Sequence, residues 1–244
     1  MLQTGEDLLF AIKWGIVKAG YSTLTIPKTE TIDGKPVLHI VSEARSSGFV
    51  DTFFRVRDRN ETWIDPEAQA TIKYSKHIRE GSYREDENVV FDHQAGRFHE
   101  TSYRIDKDRH EEAQGAIPAN VLDILGSLYH VRTQPLEVGQ QFTMDVHSGE
   151  KVYPLVVIVK RRETVKVKAG KFDCFLVEPQ LRSQGIFIQK GKKMEVWLTA
   201  DTRHLPVLMR TEVFIGHVSA ELVKNRTASP AVAMALLNPD EVDQ

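Results

Sequence analysis

Trp197, Asp201, Arg203 and His204 fall within eight positions of the segment EVWLTADTRHLPVLMRTEVFIG, residues 195–216. Asp201 and His204 could be two members of a Ser-His-Asp arrangement, which also needs a nucleophile exposed on a sharp turn. No G-x-S-x-G supplies one. Glu195, Trp197 and Thr199 alternate with Met194, Val196 and Leu198, and Pro206 opens a return strand. ADTRH therefore reads most economically as a hairpin loop in which Asp201 makes a side-chain turn bond.

The other chemistry-bearing residues are scattered. There are nine histidines, with no H-E-x-x-H and no C-x-x-C. His39, His77, His99, His147 and His217 fall on separate strand-like segments, His93, His110 and His204 in loops, and His130 in a helical one. No close pair has ligand spacing on one face supported by a carboxylate, so neither a metal nor a cofactor is expected. The sole cysteine, Cys174, lies in the strand pattern KFDCFLVEP, has no disulfide partner and reads as a buried, inert thiol. A net charge of −2 gives no reason to expect nucleic acid. No apolar run approaches the ~20 residues of a membrane span.

The elements that would carry these residues are mostly strands. Period-two alternation runs through LLFAIKWGIV, YSTLTIPK, KPVLHIVSEARS, NETWIDP, TIKYSKHIRE, SYREDENVVFDH and GRFHETSYRI. Turns are expected at Asp33-Gly34, at HQAG (93–96), at AGK (169–171) and around Lys190-Gly191. Residues 106–116, DKDRHEEAQGA, have no period and read as a mobile charged loop. IPANVLDILGSLYHVRTQP changes to helical spacing and is apolar nearly all round, which predicts a buried helix over about 118–132. Asn120 is its expected N-cap, with Asp123 in capping-box position and Pro135 as terminator. Strands return after it. The fold class is mainly β: a large, curved antiparallel sheet, open-barrel or β-roll-like, wrapped around one buried helix. Residues 1–226 form one β-rich domain and 227–244 a tail.

The helix and the concavity of the sheet supply the ligand-binding candidates: Asp123, Tyr129 and Arg132 on the helix, with Trp14 and Trp197 as inward aromatics beside Tyr21 and Trp63. The same helical residues also have plain roles, Asp123 as a cap and Arg132 as a C-terminal charge. The N-terminus, MLQTGEDLLFAIKWG, lacks a basic region followed by an apolar stretch and cleavage site. The protein is then either cytoplasmic or has had a signal removed.

Several segments together resemble one bacterial family, DUF3108. They are FAIKWGIVKAGYSTLTI, NETWIDPE, VVFDHQAGRF, IPANVLDILGSLYHVRTQPLEVG, RRETVKVKAGKFDCFLVEP and EVWLTADTRHLPVLMRTEVFIGHVSAEL, spanning roughly residues 8–222. Gly126 stands where the family commonly has Ser, and Ala200 where it has Ser or Asp. The resemblance implies an exported, periplasmic or cell-envelope protein and implies no reaction. The expectation is a monomeric, non-catalytic envelope protein that binds a lipid, a glycan or an envelope partner in the concavity of its sheet. The alternatives are a hydrolase or metal-dependent enzyme assembled from several strands, and a purely structural or assembly protein.

Overall fold

The computed structural model describes Leu2 and residues 4–181, 193–213 and 216–227. The turn expected at Lys190-Gly191 and, apart from Thr227, the tail 227–244 lie outside these residues. The strands are β1 (Glu6–Trp14), β2 (Val17–Ile32), β3 (Lys35–Ser46), β4 (Arg57–Asp65), β5 (Ala70–Glu80), β6 (Tyr83–Asp92), β7 (Arg97–Arg104), β8 (Arg109–Ala116), β9 (Leu122–Asp123), β10 (Gln141–Ser148), β11 (Lys151–Val167), β12 (Gly170–Leu181), β13 (Met194–Thr199), β14 (Pro206–Glu212) and β15 (His217–Asn225). A short helix, α1 (Gly48–Asp51), follows β3, and the longer α2 (Ile124–Thr133) follows β9.

All 15 strands belong to one sheet, in the order β8 back to β1, then β15 back to β9. Each neighbouring pair is antiparallel except β9 with β10. Two meanders are thus joined through the β1–β15 pair, while the chain itself passes from one edge, β8, to the other, β9. That crossing requires the sheet to curl. Val121, just before β9, accepts from the Thr71 amide of β5 at 3.0 Å. His147 of β10 lies against Phe91 of β6 and Phe98 of β7. The sheet is therefore mainly β, antiparallel, curved and open, as the alternation predicts.

Helix α2 sits inside this curve. Leu125 and Leu128 pack on Leu8, Phe10, Leu24 and Leu222 of β1, β2 and β15, and Tyr129 packs with Ile26, Ile40 and Ile64 of β2, β3 and β4. Ile124, Leu128 and Val131 meet Val146, Val157, Val177, Val196 and Leu198 on the other side. Only Thr133 of its residues is exposed, which is why the helix is apolar nearly all round. It begins later than its spacing suggests. Asn120 is in a left-handed turn (φ 60°) and caps nothing; the N-cap is Asp123, whose side chain accepts from the Leu125 and Gly126 amides. The preceding apolar residues, Val121 and Leu122, are buried as turn and strand.

Residues 106–116 are not a loop. A 3-10 turn, Ile105–Lys107, leads into β8, which pairs with β7 along its whole length. Alternation appears when one face of a strand is buried. β8 buries neither face, so its sequence carries no period. Its charges suit an exposed edge, where they discourage pairing with another chain.

Sharp features of the backbone fall at residues that permit them. Asp33 and Gly34 both take positive φ in the β2–β3 turn. Pro27, which has no amide to donate, lies where the β2–β3 register slips between Thr25 and Lys28. Gly20 lies in β2 where β3 approaches closely: a Cβ there would stand 2.1 Å from the Arg45 carbonyl oxygen. Gly20→Ala must push β2 and β3 apart, and should lower stability by about 3 kcal/mol or more in denaturant titration. A loss below ~0.5 kcal/mol would mean that the strands do not approach so closely.

Candidate functional site

The predicted site residues separate into three places. Asp123 is buried under β4 and β5. One carboxylate oxygen accepts from Thr62 (2.5 Å) and Thr71 (2.7 Å), the other from the Leu125 (2.8 Å) and Gly126 (3.1 Å) amides. Burial pushes its carboxyl above the usual aspartate range, against the pull of these bonds. Gly126 fits this arrangement because a Cβ would stand 2.8 Å from the carboxylate and 2.9 Å from the Thr71 hydroxyl. A serine at 126 would require this cluster to adjust.

Tyr129 and Arg132 form the second group. Arg132 donates through both terminal nitrogens to the two oxygens of Glu6 (2.8 and 2.5 Å), and Tyr129 donates to the same carboxylate at 3.1 Å. Glu6 and Arg132 are both buried. The guanidinium Nε donates to the His204 carbonyl at 3.1 Å, and His204 Nδ1 lies 2.9 Å from the Arg132 carbonyl. Between β13 and β14, Asp201 accepts from the Thr199 hydroxyl (2.6 Å) and the Arg203 amide (3.2 Å). ADTRH is therefore a hairpin loop with an Asp201 turn bond, and it docks the hairpin onto the end of α2.

The tryptophans go elsewhere. Trp197 points to the face of the sheet away from α2, packs with Cys174, Leu176 and Leu208, and donates to Glu163 at 2.7 Å. Burial pushes the Cys174 thiol up to about 12, which leaves it inert. Trp14 ends β1 beyond the reach of the helix and is 53% exposed at the rim. Tyr21 and Trp63 also face away from α2: Tyr21 pairs with Ala11, and Trp63 stacks on His39. Of the five aromatics expected inside, Tyr129 alone is buried in the concavity; Trp14 shares the strand face of Phe10 and Ile12 but stands at the rim. The helix fills the space that the other four were expected to line.

The outer face carries a groove of about 740 Å³ over β1, β2, β3 and β15. Leu9, Ala11 and Val223 line it with apolar surface, joined by Tyr21 and by Lys13, Lys18, Arg45 and Lys168. The β11–β12 turn brings Lys168 there, anchored by the Ala169 amide on the Leu222 carbonyl at 3.1 Å. Lys13 is bound to Glu221 at 2.5 Å, and Glu43 to Arg59 at 2.7 Å. Lys18, Arg45 and Lys168 have no carboxylate partner among the described residues. The Lys18 hydrogen bond holds the Tyr21 hydroxyl below its ordinary pKa. Sequence reasoning missed these cations because they are spread over four elements, and lysines facing out of a strand read as a solvated surface.

A second buried group spans β5, β6, β7 and β10. His147 Nε2 and Glu100 Oε2 face each other at 3.6 Å, too far for a good hydrogen bond, and neither atom has another partner. Burial first, then Glu87 and Glu150, push the Glu100 carboxyl up to about 7; burial pushes His147 down to about 4. Lys76 holds Glu87.

Two measurements test these networks. Arg132→Met strands the Glu6 carboxylate and should cost ~3–5 kcal/mol in urea unfolding, with much of that recovered when Glu6→Gln is added. Equal losses in the single and double variants would show that the pair is not coupled. For Glu100, the folded value lies above the free value of 4.5, so its contribution is full below 4.5 and is lost as the pH rises through about 7. His147 acts in the opposite direction, losing its contribution as the pH falls from 6.5 through about 4. The two slopes oppose each other over most of this range, so Glu100→Gln should unmask a rise in stability with pH, differing from the wild-type profile by ~1–3 kcal/mol. An unchanged pH profile would place the Glu100 proton elsewhere.

Comparison with known proteins is consistent with this architecture. No protein of curated function matches the sequence. A β-barrel-like DUF1849 protein from Brucella abortus superposes with a TM-score of 0.61 at 9% identity, over 92% of this chain and 98% of that one. At that identity the likeness is one of fold. A YmcC-like-fold protein from Bacteroides fragilis reaches 0.41 at 8% identity, over 92% and 96% of the two chains. The family model described as "Protein of unknown function (DUF3108)" matches residues 9–223, so the chain belongs to the DUF3108 family.

Proposed function

We propose that the protein is a non-catalytic domain of the bacterial cell envelope that holds an anionic amphiphile in the outer groove. The observation that carries this reading is the groove itself: an apolar floor of Leu9, Ala11 and Val223 beside three cations without carboxylate partners among the described residues. An acyl or other apolar body would lie on the floor, and its phosphate or carboxylate would meet Lys18, Arg45 and Lys168. The envelope location is what the family resemblance implies. Placing the ligand outside rather than in the concavity follows from α2, whose side chains occupy the inner face. The buried pair Glu100 and His147 lies on the inner side, with the His147 ring against Phe91 and Phe98.

The test is binding of lysophosphatidylglycerol, measured by calorimetry and by native mass spectrometry of the purified chain. The wild type should bind, and Lys168→Glu and Val223→Asp should each weaken binding roughly tenfold or more, a change of ~1.4 kcal/mol, without loss of fold. No binding by the wild type, or undiminished binding by both variants, would remove the groove as the site and favour a purely structural role.

A further inference from the structure

We infer that the rim of the sheet around the β1–β2 turn is a docking surface for an anionic lipid bilayer. Antiparallel order brings one end of each meander strand to this rim. It gathers the β1–β2 turn, the β3–β4 connection with α1, the β5–β6 turn and the start of β15. The Ser47 amide reaches the Ala19 carbonyl at 2.7 Å, Gly81 abuts the Phe54 ring, and Gly15 donates to His217 at 3.0 Å. These contacts hold the rim segments next to one another.

What this rim exposes is unusual for water. Ile16 is 98% exposed, Phe53 77% and Phe49 71%, with Trp14, Val17 and Phe54 each at least half exposed. Contiguous exposed apolar side chains of this kind mark interaction sites. Aromatic and aliphatic groups at loop tips beside cations are suited to the headgroup region, where apolar bodies enter and charges meet phosphate. Here the exposed cations are Lys18, Arg45 and Arg55; Lys18 and Arg45 have no carboxylate partner among the described residues, and Arg55 shares the field of Asp51 with Arg57. The Asp51 carboxylate is held by Arg57 at 2.5 Å. Asp58 and Glu80 fall on the opposite face of the sheet from Arg45 and Tyr21 by strand alternation. The rim therefore pairs an apolar tip with an excess of positive charge, which selects an anionic bilayer over a neutral one or an uncharged protein face.

The inference does not depend on what the groove binds. It is tested by co-sedimentation of the full chain with phosphatidylcholine vesicles, with and without phosphatidylglycerol. Binding is expected only with the anionic lipid, falling as salt rises and falling roughly fivefold for each of Lys18→Ala, Arg45→Ala and Arg55→Ala. Ile16→Asp and Phe53→Asp should abolish it while leaving the melting temperature and lysophosphatidylglycerol binding unchanged. Val223→Asp, in the groove, should leave vesicle binding intact. Absence of wild-type binding, or vesicle binding that survives Ile16→Asp and Phe53→Asp, would overturn the proposal. So would concentration-dependent dimers in sedimentation velocity that the same two substitutions abolish, since the patch would then join two copies of this chain.

Discussion

The structure depends on one buried ion pair. Glu6 and Arg132 are 126 residues apart, and their bidentate contact fixes the end of α2 against the first strand. Arg132 spends its third donor on the 203–204 loop, so β1, the helix and the β13–β14 hairpin meet at one guanidinium. Removing two charges from water is costly, and a hydrophobic replacement of both is often as stable. What the pair adds is registry: in the observed seating of α2, the Arg132 guanidinium and the Tyr129 hydroxyl meet the same Glu6 carboxylate. Asp123 does the same at the other end of the helix, through Thr62 and Thr71.

The division of the molecule into two faces follows from that seating. With α2 fixed, the inner face closes over leucines, valines and isoleucines, and its polar groups are mostly consumed by partners inside the protein. Glu100 and His147 are two buried groups driven toward their neutral forms. The outer face meets water, except where the β11–β12 arm folds back so that Val165 and Cys174 cover Trp197 and Leu208. That arm also delivers Lys168 to the groove. The proposed ligand groove and bilayer-docking rim both lie away from α2.

Much of the fold was legible because one-sided burial writes itself into period two. The strand segments, the Asp33-Gly34 and His93–Gly96 turns, the buried helix and the ADTRH hairpin all follow from alternation and turn chemistry. The edge strand β8 was not legible, since a strand that buries no face leaves no period. The helix start was misplaced because Val121 and Leu122 extend its apolar run while belonging to the crossing from β8 to β9. The inward direction assigned to Tyr21, Trp63 and Trp197 failed for a related reason: a bulky aromatic is compatible with either face, and the helix had already taken the inner one. Glu6 gave no signal at all. A lone glutamate before a strand reads as solvated until the fold carries Arg132 to it. The groove was equally hidden, because its cations come from four elements.

The account places ligand chemistry on the outer face and gives α2 a structural role. Hydrogen–deuterium exchange of the full chain, with and without lysophosphatidylglycerol, tests that division most directly. Added protection should appear in peptides covering residues 9–23, 168 and 221–223, with exchange in 124–133 already slow and unchanged. Protection that appears instead in the helix, with the outer strands unaffected, would return the site to the concavity and contradict the account.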